Sequence, residues 1–182
     1  MPRLPYYDPD GAPDSVRELL QGTPLGLLRI VAHAESAFNP WLKYGGALLT
    51  RLQLDPLLRE LAILQVAHLV ESPYEWVQHV AIARAVGASD EQIAAVEQDR
   101  HDDPSLSAEQ QLLLRFAREV IVDGAASEHS VRELADSLGP RAVVELLLVV
   151  GHYMAIARLI ASTGLEPEPP IAVDVPPAER AR

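Results

Sequence analysis

Helix-start signals recur along this chain at spacings that leave room for little except short packed helices, and no alternating apolar–polar run competes with them for a strand. Four times a capping residue precedes a proline, at Thr23-Pro24, Asn39-Pro40, Asp55-Pro56 and Ser72-Pro73. Each pair suits an N-cap followed by the first helical position. Three further starts have capping-box spacing: Ser89 with Gln92, Ser107 with Gln110 and Ser130 with Glu133. An eighth helix is expected to open near Gly139-Pro140, and a short one to run over about residues 14–20. Gly87, Gly124, Gly139 and Gly164 mark stops, because glycine takes the left-handed conformation that ends a helix. The expected class is all-α, a bundle of about eight helices forming one domain over residues 1–164. Beyond it, Glu166-Pro167-Glu168-Pro169-Pro170 and Pro176-Pro177 cannot continue a helix, so residues 165–182 are expected to form an extended tail, lying across a neighbouring subunit.

Residues 140–163 are apolar nearly all round, and a chain of 182 residues can hardly cover such a helix on every side by itself. A homo-oligomer, whether dimer, trimer or hexamer, is the expectation. Glu145, His152 and Arg158 make the same stretch too polar for a membrane span. A formal charge of −11, with no cluster of basic residues to reverse it, excludes nucleic acid and anionic lipid as natural partners. The absence of cysteine removes disulfides, thiolate nucleophiles, and Cys-ligated zinc and iron–sulfur clusters. The first residues lack the apolar core of a signal peptide, which points to the cytoplasm. No Gly-rich phosphate loop, Gly-x-Ser-x-Gly elbow or His-Glu-x-x-His zinc motif is present, so no cofactor and no metal is expected.

Chemistry concentrates in Arg59-Glu60-Leu61-Ala62-Ile63-Leu64 and, after a tight connection, Ser72-Pro73-Tyr74-Glu75-Trp76-Val77-Gln78-His79. Glu75 and His79 are four apart, so they share a helical face and are placed to exchange a proton directly or through one water. A helical hairpin hinged around residues 70–72 brings Glu60 across to that face, giving two carboxylates and one imidazole in one pocket. Tyr74, Trp76, Ser72 and His68 are candidates for its lining.

The same segment, continued to Gly87 and the Ser89-Asp90-Glu91 helix start, resembles the core motif of the carboxymuconolactone decarboxylase and alkylhydroperoxidase D superfamily, over roughly residues 28–87. The peroxidase branch of that superfamily carries a Glu, a Cys-x-x-Cys and a His at positions matching Glu60, Ser72, Glu75 and His79 here. Spacing is kept while both sulfurs are gone, so the resemblance implies no dithiol cycle. It is nearer to the decarboxylase branch, which uses a Glu four residues before a His. The activity implied is acid–base catalysis of lyase or isomerase type on a small organic acid, lactone or enolisable carbonyl, with His79, Glu75 and Glu60 as the catalytic residues. Two other outcomes stay open: a peroxidase-family homologue without dithiol activity, and a non-catalytic scaffold or small-ligand binding protein. Glu75 is either a helix cap with Ser72 or a proton relay, or both. Glu60 either faces the pocket, pairs with Arg59 or Arg84, or sits in solvent. His33, His101 and His129 read as solvated surface.

Overall fold

Asp55, Ser89, Ser107 and Ser127 each turn a side-chain oxygen back onto the first free amides of a helix, which decides where four of the helices begin. The computed structural model describes residues 2–20 and 25–170. A 3₁₀ turn (Pro9–Gly11) leads into α1 (Asp14–Leu20), α2 (Gly26–Val31), α3 (Glu35–Thr50), α4 (Pro56–Leu69), α5 (Pro73–Ala85), α6 (Asp90–Glu97), α7 (Ala108–Val122) and α8 (Glu128–Thr163). No strand occurs among the described residues. Ser89 with Gln92 and Ser107 with Gln110 form complete capping boxes, and Gly87, Gly124, Gly139 and Gly164 all have positive φ.

Two expected starts differ. Asn39-Pro40 lies inside α3, which opens at Glu35, because Ala34 accepts from the amides of Ala37 and Phe38 and the Phe38 ring is fully buried. Tertiary burial there overrides the local cap signal. Ser130 is not a cap: Ser127 accepts from the Ser130 amide, and the Ser130 hydroxyl donates to Glu119 instead. The start expected at Gly139-Pro140 is present as a break within α8: Gly139, at φ 86° and ψ 157°, is non-helical and separates two helical segments, the second opening at Pro140. The Thr23-Pro24 pair lies outside the described residues.

The helix covered on every side is α4, buried without interruption from Leu58 to Ala67 and packed against α5, α6, α7 and α8. Its polar residues Arg59, Glu60 and Gln65 are carried into the interior with it, and buried polar groups need partners. By length and composition α8 is apolar enough to cross a membrane, with a mean hydropathy of 1.9 over its most apolar window, but half of that window is buried inside the fold, as in a core helix. Val144, Leu147 and Leu148 remain exposed on its outer side.

Residues 165–170 pack on their own chain: Leu165 is buried, and Glu168 reaches the start of α2 and the outer face of α5. Residues 171–182 lie outside the described residues.

Candidate active site

The turn joining α4 to α5 sets the geometry of everything that follows. Glu71 takes a left-handed φ of 53°, the Glu71 amide donates to the His68 carbonyl, and the Ser72 amide donates to the Ala67 carbonyl. This is a Schellman closure, a helix ending in which the two residues after the cap bond backwards, made with a Glu where glycine is usual. The closure holds the hairpin in one register. It also overturns the capping box expected of Ser72 and Glu75: the Ser72 amide that Glu75 would accept from is already taken by Ala67, and the Ser72 hydroxyl makes no cap bond.

In that register α4 and α5 lie side by side, and Glu60 meets His79. Glu60 Oε2 lies 2.8 Å from His79 Nδ1, and Arg59 Nε donates to Glu60 Oε1 at 3.0 Å. Glu60 is 0% exposed, Arg59 2% and His79 7%. A carboxylate has no proton to give, so Nδ1–H is the donor, and the lone pair of the imidazole is left on Nε2. His79 lines a cavity of about 150 Å³, with Glu75 and Tyr153 also in its wall. The Tyr153 ring meets the imidazole edge-to-face at 4.8 Å.

Glu75 makes no hydrogen bond to His79; both of its carboxyl oxygens are buried without a partner. Burial pushes its pKa up to about 8, and the nearby Ser72 hydroxyl offsets only part of the shift. The acid is therefore largely neutral at pH 7, able to donate. Burial, with the Glu60 carboxylate close by, pushes the Tyr153 phenol well above its usual range, so it too keeps its proton.

The raised carboxyl has a thermodynamic consequence. Folded chains hold a proton between the ordinary value of 4.5 and about 8 that unfolded chains release. The contribution of Glu75 to stability is thus complete below 4.5, falls across that window and is flat above about 8. Titratable or charged groups near it are Glu60 and Arg59 from α4, His79 from α5 and the Tyr153 phenol from α8. Urea unfolding of Glu75→Gln should lose less stability than the wild type between pH about 5 and about 9; equal losses in the two proteins would contradict a buried neutral carboxyl.

Four expected lining residues divide between two places. Tyr74 is in the cavity wall, whereas His68, Ser72 and Trp76 line a separate, open groove of about 430 Å³ with Glu71 and Glu97. Helical rotation explains it: His68 is eight positions beyond Glu60, turning it about 80° away, and Trp76 follows Glu75 by one position, about 100° away. His101, expected in solvent, is half-buried at 3.0 Å from Gln65 Oε1 and 3.1 Å from Asp99. Among the described residues no group of three or more His, Cys, Asp or Glu is placed to hold a metal.

Beside the cavity runs the tail. Glu168 accepts from the Gly26 amide at 3.0 Å and from the Tyr74 hydroxyl at 2.7 Å, and Gln78 donates to the carbonyls of Glu168 and Pro169. Gly26 is required for this approach, since a Cβ there would stand 2.7 Å from the Tyr6 hydroxyl and 2.8 Å from Glu168 Oε1. Tyr74 and Gln78 are thus shared between the cavity wall and the strap. The tail's approach is not marked in the sequence, whereas His152-Tyr153 reads there as either a pocket wall or an oligomer contact, and the structure places Tyr153 in the wall. His152-Tyr153, a polar pair on an apolar helix, was the one available signal.

Fold and site together define a class: an all-helical protein in which a two-helix hairpin holds a buried Arg–Glu–His row against a small apolar cavity. Residues 35–119 match the Carboxymuconolactone decarboxylase family, and the chain contains no cysteine. Similar solved structures include an uncharacterized peroxidase-related protein from Silicibacter sp. TM1040, 21% identical, covering 87% of each chain with a TM-score of 0.75. An uncharacterized peroxidase-related protein with an alkylhydroperoxidase AhpD core, from Ralstonia eutropha JMP134, is 18% identical, covers 92% of each chain and has a TM-score of 0.77. A protein of unknown function from Agrobacterium tumefaciens is 17% identical, over 75% of this chain and 94% of that one, with a TM-score of 0.66. None of the curated proteins compared with the chain matches it.

Proposed function

We propose that this chain is a cytoplasmic acid–base enzyme of lyase or isomerase type, acting without thiol chemistry or cofactor on a small lactone, enolisable carbonyl or organic acid. The observation that carries this reading is the buried Glu60 on Nδ1 of His79, which leaves Nε2 as a base at a cavity that also holds a neutral carboxyl. In the proposed step Nε2 takes a proton from the carbon next to a carbonyl, the electron pair moves to the carbonyl oxygen, and Glu75 supplies that oxygen with its proton, giving an enol. Glu60 compensates the imidazolium that forms, as a carboxylate does for a paired histidine. The Glu75 carboxylate then takes a proton back as the enol returns to a carbonyl, and His79 delivers its proton to carbon.

The test is turnover of a panel of small lactones and β-keto acids by purified protein, followed by His79 substitution. A hydroperoxide with a dithiol donor should give no turnover above background, because no cysteine exists to cycle. Failure of every panel compound would remove the acid–base reading and favour the scaffold alternative.

We also propose that the exposed α8 face meets a second copy of the chain. Val144, Leu147 and Leu148 recur there at helical spacing, continued by exposed Gly151 and Ala155. Light scattering at micromolar concentration should report a dimer or higher assembly; a stable monomer would reject it.

A further inference from the structure

We propose that the cavity beside His79 admits an uncharged molecule of about benzene size carrying an oxygen acceptor, and turns away carboxylates of the same carbon skeleton. This deepens the acid–base reading and rests on it for the identity of the site. Three observations carry it.

The first is size. A cavity of about 150 Å³ matches one that accepts benzene when its walls are apolar, so six or seven non-hydrogen atoms fill it. The second is the wall. Leu25, Leu27, Leu49, Ile82 and Ile156 are half of its ten lining residues, and among the described residues no Lys or Arg takes part. The third is charge already matched inside the protein. The nearest buried cation, Arg59, is bonded to Glu60 and is not part of the wall, and any charge gained by His79 is balanced by the same Glu60. An entering carboxylate therefore loses its water and meets no uncompensated cation, a transfer that neutral hydrogen bonds do not offset.

A neutral ligand meets the reverse situation. Its ring or chain replaces apolar surface, and the wall residue Glu75 carries a carboxyl whose two oxygens lie closed beneath that surface without a partner in the protein, so the ligand's oxygen is the acceptor it lacks once the side chain turns toward the cavity. Burial keeps that carboxyl protonated at neutral pH, so it is a donor without an acceptor. The phenol of Tyr153 is a second donor in the same wall. Of the substrate classes the resemblance implies, lactones and neutral carbonyl compounds fit this wall, and organic acids in their ionised form do not.

The decisive measurement uses a matched pair, δ-valerolactone and its hydrolysed form 5-hydroxypentanoate, with cyclohexane as the acceptor-free control. Each is titrated into the full-length protein at pH about 7 by calorimetry. The lactone should bind at least about tenfold more tightly than the hydroxy acid and more tightly than cyclohexane. Glu75→Gln, which keeps a neutral donor, should hold the lactone; Glu75→Leu should lose the advantage over cyclohexane. A hydroxy acid that binds as well as the lactone, or a lactone that does not bind, overturns the proposal. Should Glu75→Leu fail to fold, the wild-type pair of affinities still decides. The result separates from the enzyme reading: turnover that depends on His79 but favours the carboxylate sinks only this inference, whereas lactone binding without turnover of any compound sinks only the acid–base reading.

Discussion

Glu60→Ala is expected to cost about 3–5 kcal/mol of stability, the largest loss of any single substitution argued for this chain. The reason is less the contacts removed than the charge left behind. Arg59 is 2% exposed and already has one guanidinium nitrogen, Nη2, buried without a partner. Its Nε is anchored by the 3.0 Å bond to Glu60. A guanidinium cannot give up its proton to escape the interior, so truncating Glu60 strands a full charge inside α4. Glu60→Gln keeps the shape and an acceptor oxygen and should cost less. Replacing Arg59 and Glu60 together by Met and Leu should recover most of the loss, since removing both members of a buried pair avoids the stranded charge. Chemical denaturation of the three variants checks this. A cost below about 1 kcal/mol for Glu60→Ala would mean that water reaches Arg59 and that the row is not a closed interior feature.

How far the sequence reveals this arrangement depends on the range over which each interaction acts. Ser89 with Gln92 and Ser107 with Gln110 are legible because both halves of a capping box lie within one turn, and the structure forms both. Asn39-Pro40 misleads because Phe38, packed by distant residues, moves the helix start upstream. The Glu60–His79 pairing is legible because a short connection between two helices restricts which faces meet. The Schellman turn is not, since its left-handed residue is Glu71 and carries no glycine mark. His68 and Trp76 were placed by proximity in sequence, which helical rotation defeats, and they end in another groove. Tyr153 and Glu168 arrive from the far end of the chain, where no local pattern ties them to α5. The cavity between α5 and α8 is a product of packing, which periodicity does not specify.

His79 carries the second large expectation: on whichever panel compound is turned over, His79→Ala should lower kcat by about 10²–10⁴, the range that a positioned general base contributes. Truncation alone does not separate a base from a packing residue, because the imidazole also fills space beside Tyr153 and ties Glu60 to α5. His79→Gln is the sharper variant. Its side-chain amide can still donate to Glu60 and occupies a similar volume, so the buried row survives, but nothing on it replaces the Nε2 lone pair. If His79 only holds α4 and α5 together, His79→Gln should keep the wild-type fold and rate; if it is the base, the fold persists and the rate falls nearly as far as in His79→Ala. Circular dichroism and denaturant unfolding report the first quantity and kcat/KM the second. Glu60→Gln should fall between the two, because an amide oxygen still accepts from Nδ1–H and keeps the tautomer while no longer offering a charge to the imidazolium. The order wild type, Glu60→Gln, His79→Gln, His79→Ala in kcat is what a carboxylate-supported imidazole base requires, and a His79→Gln protein with more than about half of the wild-type kcat/KM would remove His79 from the chemistry.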